Sequence, residues 1–277
     1  MSWLGVSRLI RFTDREFEQL KQYVGKNYGI DLTKKRVLAE SRMNRELEQN
    51  GFSSMGEYLT QMEQDKSGRL RRILLNRLTT NYTYFMREQK HFEYLANQIL
   101  PEIKPGWGRT CYRVWSAGCS SGQECYTLAM MLQDYTDHGG WLPAFEIFGT
   151  DISDTAIKKA MEGRYPMGEL EKIPPLWQQK YCRNDGDKNY FTIAPQIRQK
   201  VRFQVMNLLR PTAGVGYYDL ILCRNVMIYF DEASRKKLID RLYAALKPDG
   251  YLFVGHTELL PRHHELFEYV CPAIYRK

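Results

Sequence analysis

From about residue 110 onward, short apolar runs alternate with helical stretches. This rhythm constrains the fold more than any other feature of the chain. Tyr112-Arg113-Val114-Trp115 reads as a strand and Glu124 to Tyr135 as a helix. Phe145-Glu146-Ile147-Phe148-Gly149 reads as a second strand, and Ser153 to Glu162 as a second helix. Asp219-Leu220-Ile221-Leu222-Cys223 is a short apolar run, as expected of a strand buried on both faces. Glu232 to Leu246 reads as a helix closed by Lys247-Pro248-Asp249-Gly250, and Tyr251-Leu252-Phe253-Val254-Gly255 as another strand. Such alternation implies βαβ units, a mostly parallel sheet and the α/β class. One stretch, about residues 176–206, breaks the rhythm. There Asn184-Asp185-Gly186-Asp187 lies between Lys180-Tyr181-Cys182 and Tyr190-Phe191-Thr192-Ile193. Asp-Gly between β-rich runs signals a hairpin, so a small antiparallel insertion is expected.

Before residue 80 the periodicity is helical. Thr13-Asp14-Arg15-Glu16 has the form of a capping box ahead of Phe17, Leu20 and Val24. Gly29 and Asp31-Leu32-Thr33 interrupt the helix, and a second is expected from about Lys34 to Gln49, stopped by Asn50-Gly51. Ser53 or Ser54 starts a third through Tyr58, Leu59 and Met62, and a fourth carries Leu70, Ile73, Leu74 and Leu78. The expected organisation is an N-terminal all-α domain over 1–78 and a larger α/β domain over 79–277.

Composition narrows the class. With 277 residues, 43% apolar and 26% charged, the chain is neither disordered nor collagenous. No apolar run reaches the roughly 18–20 residues that span a bilayer. Met1 to Phe12 is interrupted by Arg8 and Arg11 and carries no secretory signature, so a cytoplasmic protein is expected. The six cysteines form no C-x-x-C pair and are expected as reduced thiols. The five histidines show no ligand spacing and read as structural or surface residues, and no metal is called for. The net charge of +8 suits an acidic partner without choosing among nucleic acid, membrane and protein.

Val114 to Glu124 runs from a strand through Ser116-Ala117-Gly118-Cys119-Ser120-Ser121-Gly122 into a helix. Small residues let a ligand approach the backbone, although a plain tight strand-to-helix turn looks the same. The glycine spacing is not that of a dinucleotide fingerprint. Asp151 ends the second strand, where a carboxylate accepts both ribose hydroxyls of a nucleoside; Asp151 or Ser153 also suits a helix cap there. No Walker sequence is present. The loop, the acid and the late Lys-Pro-Asp-Gly turn suit S-adenosylmethionine better than NAD.

Six ordered blocks carry a family resemblance: Leu78 to Glu88, Val114 to Glu124, Gly149-Thr150-Asp151-Ile152, Val205 to Leu209, Cys223 to Asp231 and Gly250 to Glu258. Together they resemble the CheR-type chemotaxis receptor methyltransferases over nearly the whole chain. The resemblance implies a Rossmann-like fold and transfer of a methyl group from S-adenosylmethionine to glutamate carboxylates of methyl-accepting chemotaxis receptors, leaving S-adenosylhomocysteine. It implies that Asn81, Thr83 and Arg87 reach the cofactor, that Glu124 takes its amino group and Asp151 its ribose. Asn207 and Leu208 would flank the adenine, Arg224 and Asn225 would line the site, and Arg87 and Tyr229 would lie nearest the methyl group. The chain departs from the family where Tyr82, Tyr84 and Met86 replace common Leu, Ala and Phe. Gln123 and Cys125 stand for Glu and Pro, and Thr257 for Ser. In some members the β insertion binds a receptor tail by strand addition; the Asn184–Asp187 loop here looks short for that.

On a helical wheel Lys34, Lys35, Leu38, Arg42 and Arg45 share an arc of roughly 100°, which suits docking on acidic receptor helices or a plain solvated face. Lys66, Arg69, Arg71, Arg72 and Arg77 form a second basic cluster. A monomer acting on protein, without nucleic acid or membrane insertion, is expected. The competing readings are a nucleic-acid methyltransferase, weakened by the lack of an Asn/Asp-Pro-Pro-Tyr/Phe loop, and a cofactor-binding sensor without catalysis.

Overall fold

The computed structural model describes residues 10–106, 108, 110–210 and 217–277. Most of the Met1 to Phe12 stretch read above therefore lies outside the described residues. The chain divides into two compact units: Met1–Thr80 with Tyr229–Ser234, and Asn81–Ile228 with Arg235–Lys277.

The first unit is helical. It contains α1 (Asp14–Tyr28), α2 (Arg36–Gln49), α3 (Met55–Gln64) and α4 (Arg69–Leu78). Thr13 and Glu16 close the expected capping box on α1, and Gly29 ends that helix in the left-handed conformation. Ser54 caps α3 through its side chain. The apolar stripes meet in a core of Leu20, Val24, Met43, Leu47, Met55, Tyr58 and Leu74, each worth about 1.5–3 kcal/mol when buried. The helix expected from Lys34 starts two residues later, and Lys35 is its N-cap. A chain-distant strap joins this unit, contrary to the expectation that Tyr229 belongs wholly to the larger domain. Asp31 N donates to Tyr229 O at 2.8 Å, Ile30 bridges Phe230, and Lys35 Nζ lies 5.1 Å from the Tyr229 ring centroid.

The second unit opens with α5 (Gln89–Tyr94), which runs on as a wider π turn over Leu95–Ile99 and a 3-10 turn over Leu100–Glu102. Then follow β1 (Cys111–Ala117), α6 (Gln123–Asp137), β2 (Ala144–Asp151) and α7 (Asp154–Glu162). Next come β3 (Arg164–Pro166), α8 (Pro175–Tyr181), β4 (Cys182–Asn184), β5 (Tyr190–Ile193), α9 (Pro195–Arg198) and β6 (Val201–Val205). The chain ends with β7 (Tyr218–Cys223), α10 (Glu232–Ala245), β8 (Leu246–Val254), β9 (Glu268–Cys271) and β10 (Ile274–Arg276). The main sheet has the order β6-β2-β1-β7-β8-β10-β9. Its first five strands are parallel; β10 runs antiparallel to β8, and β9 antiparallel to β10. The order reverses on either side of β1, so the loops after β1, β2 and β7 share the carboxyl edge where such sheets bind ligands. All six residues of β7 are buried, as an apolar central strand should be.

Two expectations are corrected. The small antiparallel sheet is β3-β5-β4, so it draws a strand from Arg164–Pro166, ahead of the expected start at 176. Residues 201–206 do not belong to it, because β6 pairs with β2 in the main sheet. The Asp-Gly hairpin signal is local, whereas the other partner of β5 lies far back in the chain. Likewise Lys247-Pro248-Asp249-Gly250 does not separate helix from strand. It lies within β8 as an irregularity, where Asp249 has φ 64° and the register with β7 shifts. The six cysteines are all free, and among the described residues no helix is long and apolar enough to cross a membrane.

The basic face of α2 is divided by its contacts. Arg42 donates to Leu78 O at 2.9 Å and to Thr80 Oγ1 at 2.8 Å, so it closes the end of α4. Lys34 and Arg45 are exposed, alongside the apolar Val37 and Leu38. Arg77 is paired with Glu46. Arg42→Gln should therefore lower unfolding free energy by about 1–2 kcal/mol, while Arg45→Gln stays within about 0.5 kcal/mol. Urea denaturation checks both, and equal effects would refute a capping role for Arg42.

Candidate functional site

The site grows from the carboxyl edge of β1, β2 and β7. The first loop turns back on β2: Gly118 N and Cys119 N both donate to Thr150 O, at 2.7 and 2.9 Å. Gly118 has φ 89°, and a Cβ there would drive into Val226 Cγ2, so only glycine fits. Ser120 N donates to Asp151 Oδ2, and Ser153 N to Asp151 Oδ1, both at 2.9 Å. Asp151 is buried at the tip of β2. Burial pushes its pKa up, while the Ser153 and Ser120 N–H groups pull it back. Ser153 caps α7 through its hydroxyl, so ribose acceptor and helix cap fall to adjacent positions. Ser120 Oγ reaches Asn81 O at 2.8 Å and ties residue 81 to this loop. Thr83 follows two residues on, half-buried.

Glu124 lies in the first turn of α6. Its two oxygens accept from Ser116 Oγ at 2.6 Å and from Arg224 Nε at 2.7 Å. Arg224 is the centre of the cluster. Its side chain is 2% exposed, and NH1 donates to Arg87 O at 2.8 Å and to His91 Nδ1 at 3.0 Å, with Glu88 Oε2 at 3.4 Å. Its guanidinium also lies 5.2 Å from the Phe92 ring centroid. Arg224, expected to line the ligand site, has its guanidinium engaged by the protein itself, on Glu124, the Arg87 carbonyl, His91 and Glu88.

Asn225 follows at φ 58° and donates from Nδ2 to Glu88 Oε1 at 3.4 Å. Its Oδ1 is buried and finds no partner among the described residues. Glu258 fixes the turn. Its buried carboxylate accepts from Asn225 N, Gly255 N and Ile228 N, binding the loops after β7 and β8 into one piece. Burial raises its pKa against those donors. On the far side of β2, Met206 N donates to Asp151 O at 2.8 Å. That bond places Asn207 and Leu208 beside Asp151, and Arg241 NH1 holds Leu208 O at 3.2 Å.

Backbone strain gathers here. Six non-glycine residues among those described have positive φ, and four are in this site: Met86 (61°), Glu88 (56°), Ser120 (51°) and Asn225 (58°). Each such residue costs about 1–3 kcal/mol, so packing must hold it. Arg87 sits between two of them and points back, with NH1 on Tyr82 O at 2.8 Å.

The arrangement brings Asn81, Arg87, Glu124, Asp151, Asn207, Leu208, Arg224 and Asn225 to one edge of the second unit. Tyr229, Lys34, Lys35, Arg42 and Arg45 belong to the first unit. Glu88, His91 and Glu258 were not singled out from the sequence. Glu88 and Glu258 end quoted motif blocks, but nothing local marks a carboxylate as a buried brace. Glu88, His91 and His256 approach closely enough to hold a cation. The Arg224 guanidinium, however, already occupies that space against His91 and Glu88.

An S-adenosylmethionine molecule fits these residues. The orphaned Asn225 Oδ1 is a buried acceptor awaiting a donor. Asp151 keeps lone pairs for hydroxyl groups.

His91 provides a pH test. It is 1% exposed, and burial, together with Arg224 and His256, pushes its pKa down to about 3. Arg224 can only donate, so Nδ1 accepts and the ring is neutral. The unfolded chain binds a proton near pH 6.5 and the folded one does not, so stability falls as pH drops below 6.5. This group should remove about 2 kcal/mol between pH 6.5 and 5. His91→Gln should flatten that part of the unfolding-versus-pH curve. An unchanged slope would show that His91 is not held neutral.

Comparison with known proteins matches residues 81–275 to the family model described as the CheR methyltransferase SAM binding domain, and residues 15–79 to the CheR methyltransferase all-alpha domain. A chemotaxis protein methyltransferase of Borreliella burgdorferi is 39% identical over 274 residues, covering 97% of this chain and 96% of that protein. Chemotaxis protein methyltransferase 1 of Pseudomonas aeruginosa is 35% identical over 268 residues, covering 94% and 97%. The chemotaxis protein methyltransferase of Escherichia coli is 34% identical over 261 residues, covering 92% and 88%.

Proposed function

The chain belongs to the CheR methyltransferase family, an S-adenosylmethionine-dependent methyltransferase of chemotaxis, and from that premise we propose that it esterifies glutamate side chains on chemoreceptors. The observation that supports this reading most is the strained edge of the second unit. Three left-handed non-glycine residues, Met86, Glu88 and Asn225, lie in the segments that meet the buried Arg224, a fourth, Ser120, lies beside Asp151, and Asn225 Oδ1 is an unsatisfied acceptor. In this reading the protein acts as a cytoplasmic monomer on a protein acceptor, not on nucleic acid.

Glutamate is ionised at neutral pH, with an ordinary pKa of about 4.3, so no general base is required. When bound, the cofactor supplies an activated methyl group and its own leaving group. The protein has three tasks: hold the cofactor, aim a carboxylate and exclude water. In this reading Glu124 accepts the cofactor's amino group, and Ser116 and Arg224 fix its oxygens for that role. Asp151 accepts the ribose hydroxyls. Asn207 and Leu208 flank the base, while Asn81, Thr83 and Asn225 close the remaining polar contacts. Arg87 orients the acceptor carboxylate through paired N–H donors. Its effect must be greatest in the transition state, because equal hold on the ground state lowers KM without raising kcat.

The reaction is tested by incubating the protein with methyl-labelled S-adenosylmethionine and membranes carrying chemoreceptors. Mild base should release the label as volatile methanol, the signature of a carboxyl ester. Base-stable label would overturn the proposal in favour of another acceptor atom.

The exposed basic face of α2 is proposed as the receptor dock. Lys34, just ahead of α2, and Arg45 on it are exposed, as is the apolar Val37 at 74%, a combination that suits an acidic amphipathic helix. Lys34→Glu with Arg45→Glu should raise receptor KM about ten-fold or more, leaving cofactor affinity and melting temperature in place. Unchanged receptor KM would discard this face.

A further inference from the structure

The segment before α5 carries two tyrosines that core packing does not explain. Tyr82 is 70% exposed, while Tyr84 is half-buried. Their rings stand 5.8 Å apart and tilted by 56°. The Arg87 guanidinium carbon is 5.9 Å from each ring centroid. Arg87 NH1 also donates to Tyr82 O at 2.8 Å, closing a loop of the chain on itself. The backbone on both sides of Arg87 is left-handed, at Met86 and Glu88, which turns the side chain back over residues 82–84.

These contacts act on the same group. A guanidinium on an exposed segment would ordinarily sample many rotamers. Here one N–H is committed to a carbonyl, and two aromatic rings attract the cation. Arginine has five N–H donors, so four remain for an incoming carboxylate. The clamp removes freedom without consuming the donors that a two-point carboxylate contact needs.

We propose that Tyr82 and Tyr84 are positioning residues that hold Arg87 in a single orientation for the acceptor carboxylate. The inference rests on the reading of Arg87 given above, and it extends that reading to two further residues of the same segment. The tyrosines act through ring and carbonyl, not through their hydroxyls. Loss of the rings should therefore leave the acceptor able to bind but rarely aligned, so kcat suffers more than receptor KM.

The experiment compares the wild type, Tyr82→Leu with Tyr84→Ala, and Tyr82→Phe with Tyr84→Phe. Two readouts are taken: receptor methylation kinetics, and the NMR signal of the Arg87 Nε–H group, assigned through Arg87→Lys. In the wild type the Arg87 signal should carry a ring-current shift and restricted motion. The Leu/Ala pair should lose both and drop kcat roughly ten-fold, and the Phe pair should restore both. A Leu/Ala variant with wild-type kcat would overturn the proposal. So would a Phe pair no better than Leu/Ala, or a wild-type Arg87 signal with neither ring-current shift nor restricted motion. The NMR readout needs no methyl transfer, so failure of the clamp is distinguishable from failure of the ester reading, which the base-release assay on the wild type decides.

Discussion

A buried guanidinium organises the second unit's functional edge. Taking Arg224 out of water costs several kcal/mol, and only close, well-aimed acceptors offset that. It finds Glu124 from α6, Glu88 and the Arg87 carbonyl from the segment before α5, and the neutral ring of His91. Elements far apart in the chain must therefore adopt one relative placement, or the cation is stranded. Removing a carboxylate partner leaves the buried cation undercompensated, and removing a neutral one leaves a buried N–H unpaired; either penalty exceeds the lost bond itself.

Backbone strain and buried carboxylates depend on that arrangement. Met86, Glu88 and Asn225 hold positive φ next to the arginine's partners, and Ser120 holds it beside Asp151. Glu258 stabilises the Asn225 turn by collecting backbone N–H groups from two strand-end loops. A well-braced edge of this kind would serve methyl transfer to an already ionised carboxylate, the reaction proposed above. With the nucleophile supplied by the substrate and activation by the cofactor, alignment is the protein's main contribution.

Much of this was legible locally. The capping box at Thr13, the fully buried β7, the Gly118 turn and Asp151 at the tip of β2 each follow from a few neighbouring residues. Less legible were features whose partners lie far away. The small sheet takes β3 from outside the expected insertion. Tyr229–Ser234 joins the helical unit through Ile30 and Asp31. Arg42 reads as an available basic residue, yet both its terminal nitrogens donate to residues at the end of α4. His91 gives no local signal that it faces a buried arginine.

The sequence by itself determined the periodic structure, the α/β class, the small-residue turn after β1 and, through six ordered motif blocks, the family. These are properties of short windows, where side-chain period, turn chemistry and small-residue spacing act within a few residues. Only the tertiary structure decided which charges are spent internally and which remain for ligands. Arg224 and Arg42 are alike in sequence to Arg87 and Arg45; what separates them is the set of carbonyls and carboxylates that the fold brings within about 3 Å. Burial makes that distinction energetic: a buried donor must be satisfied by the protein, whereas an exposed one can be left to water or to an incoming partner.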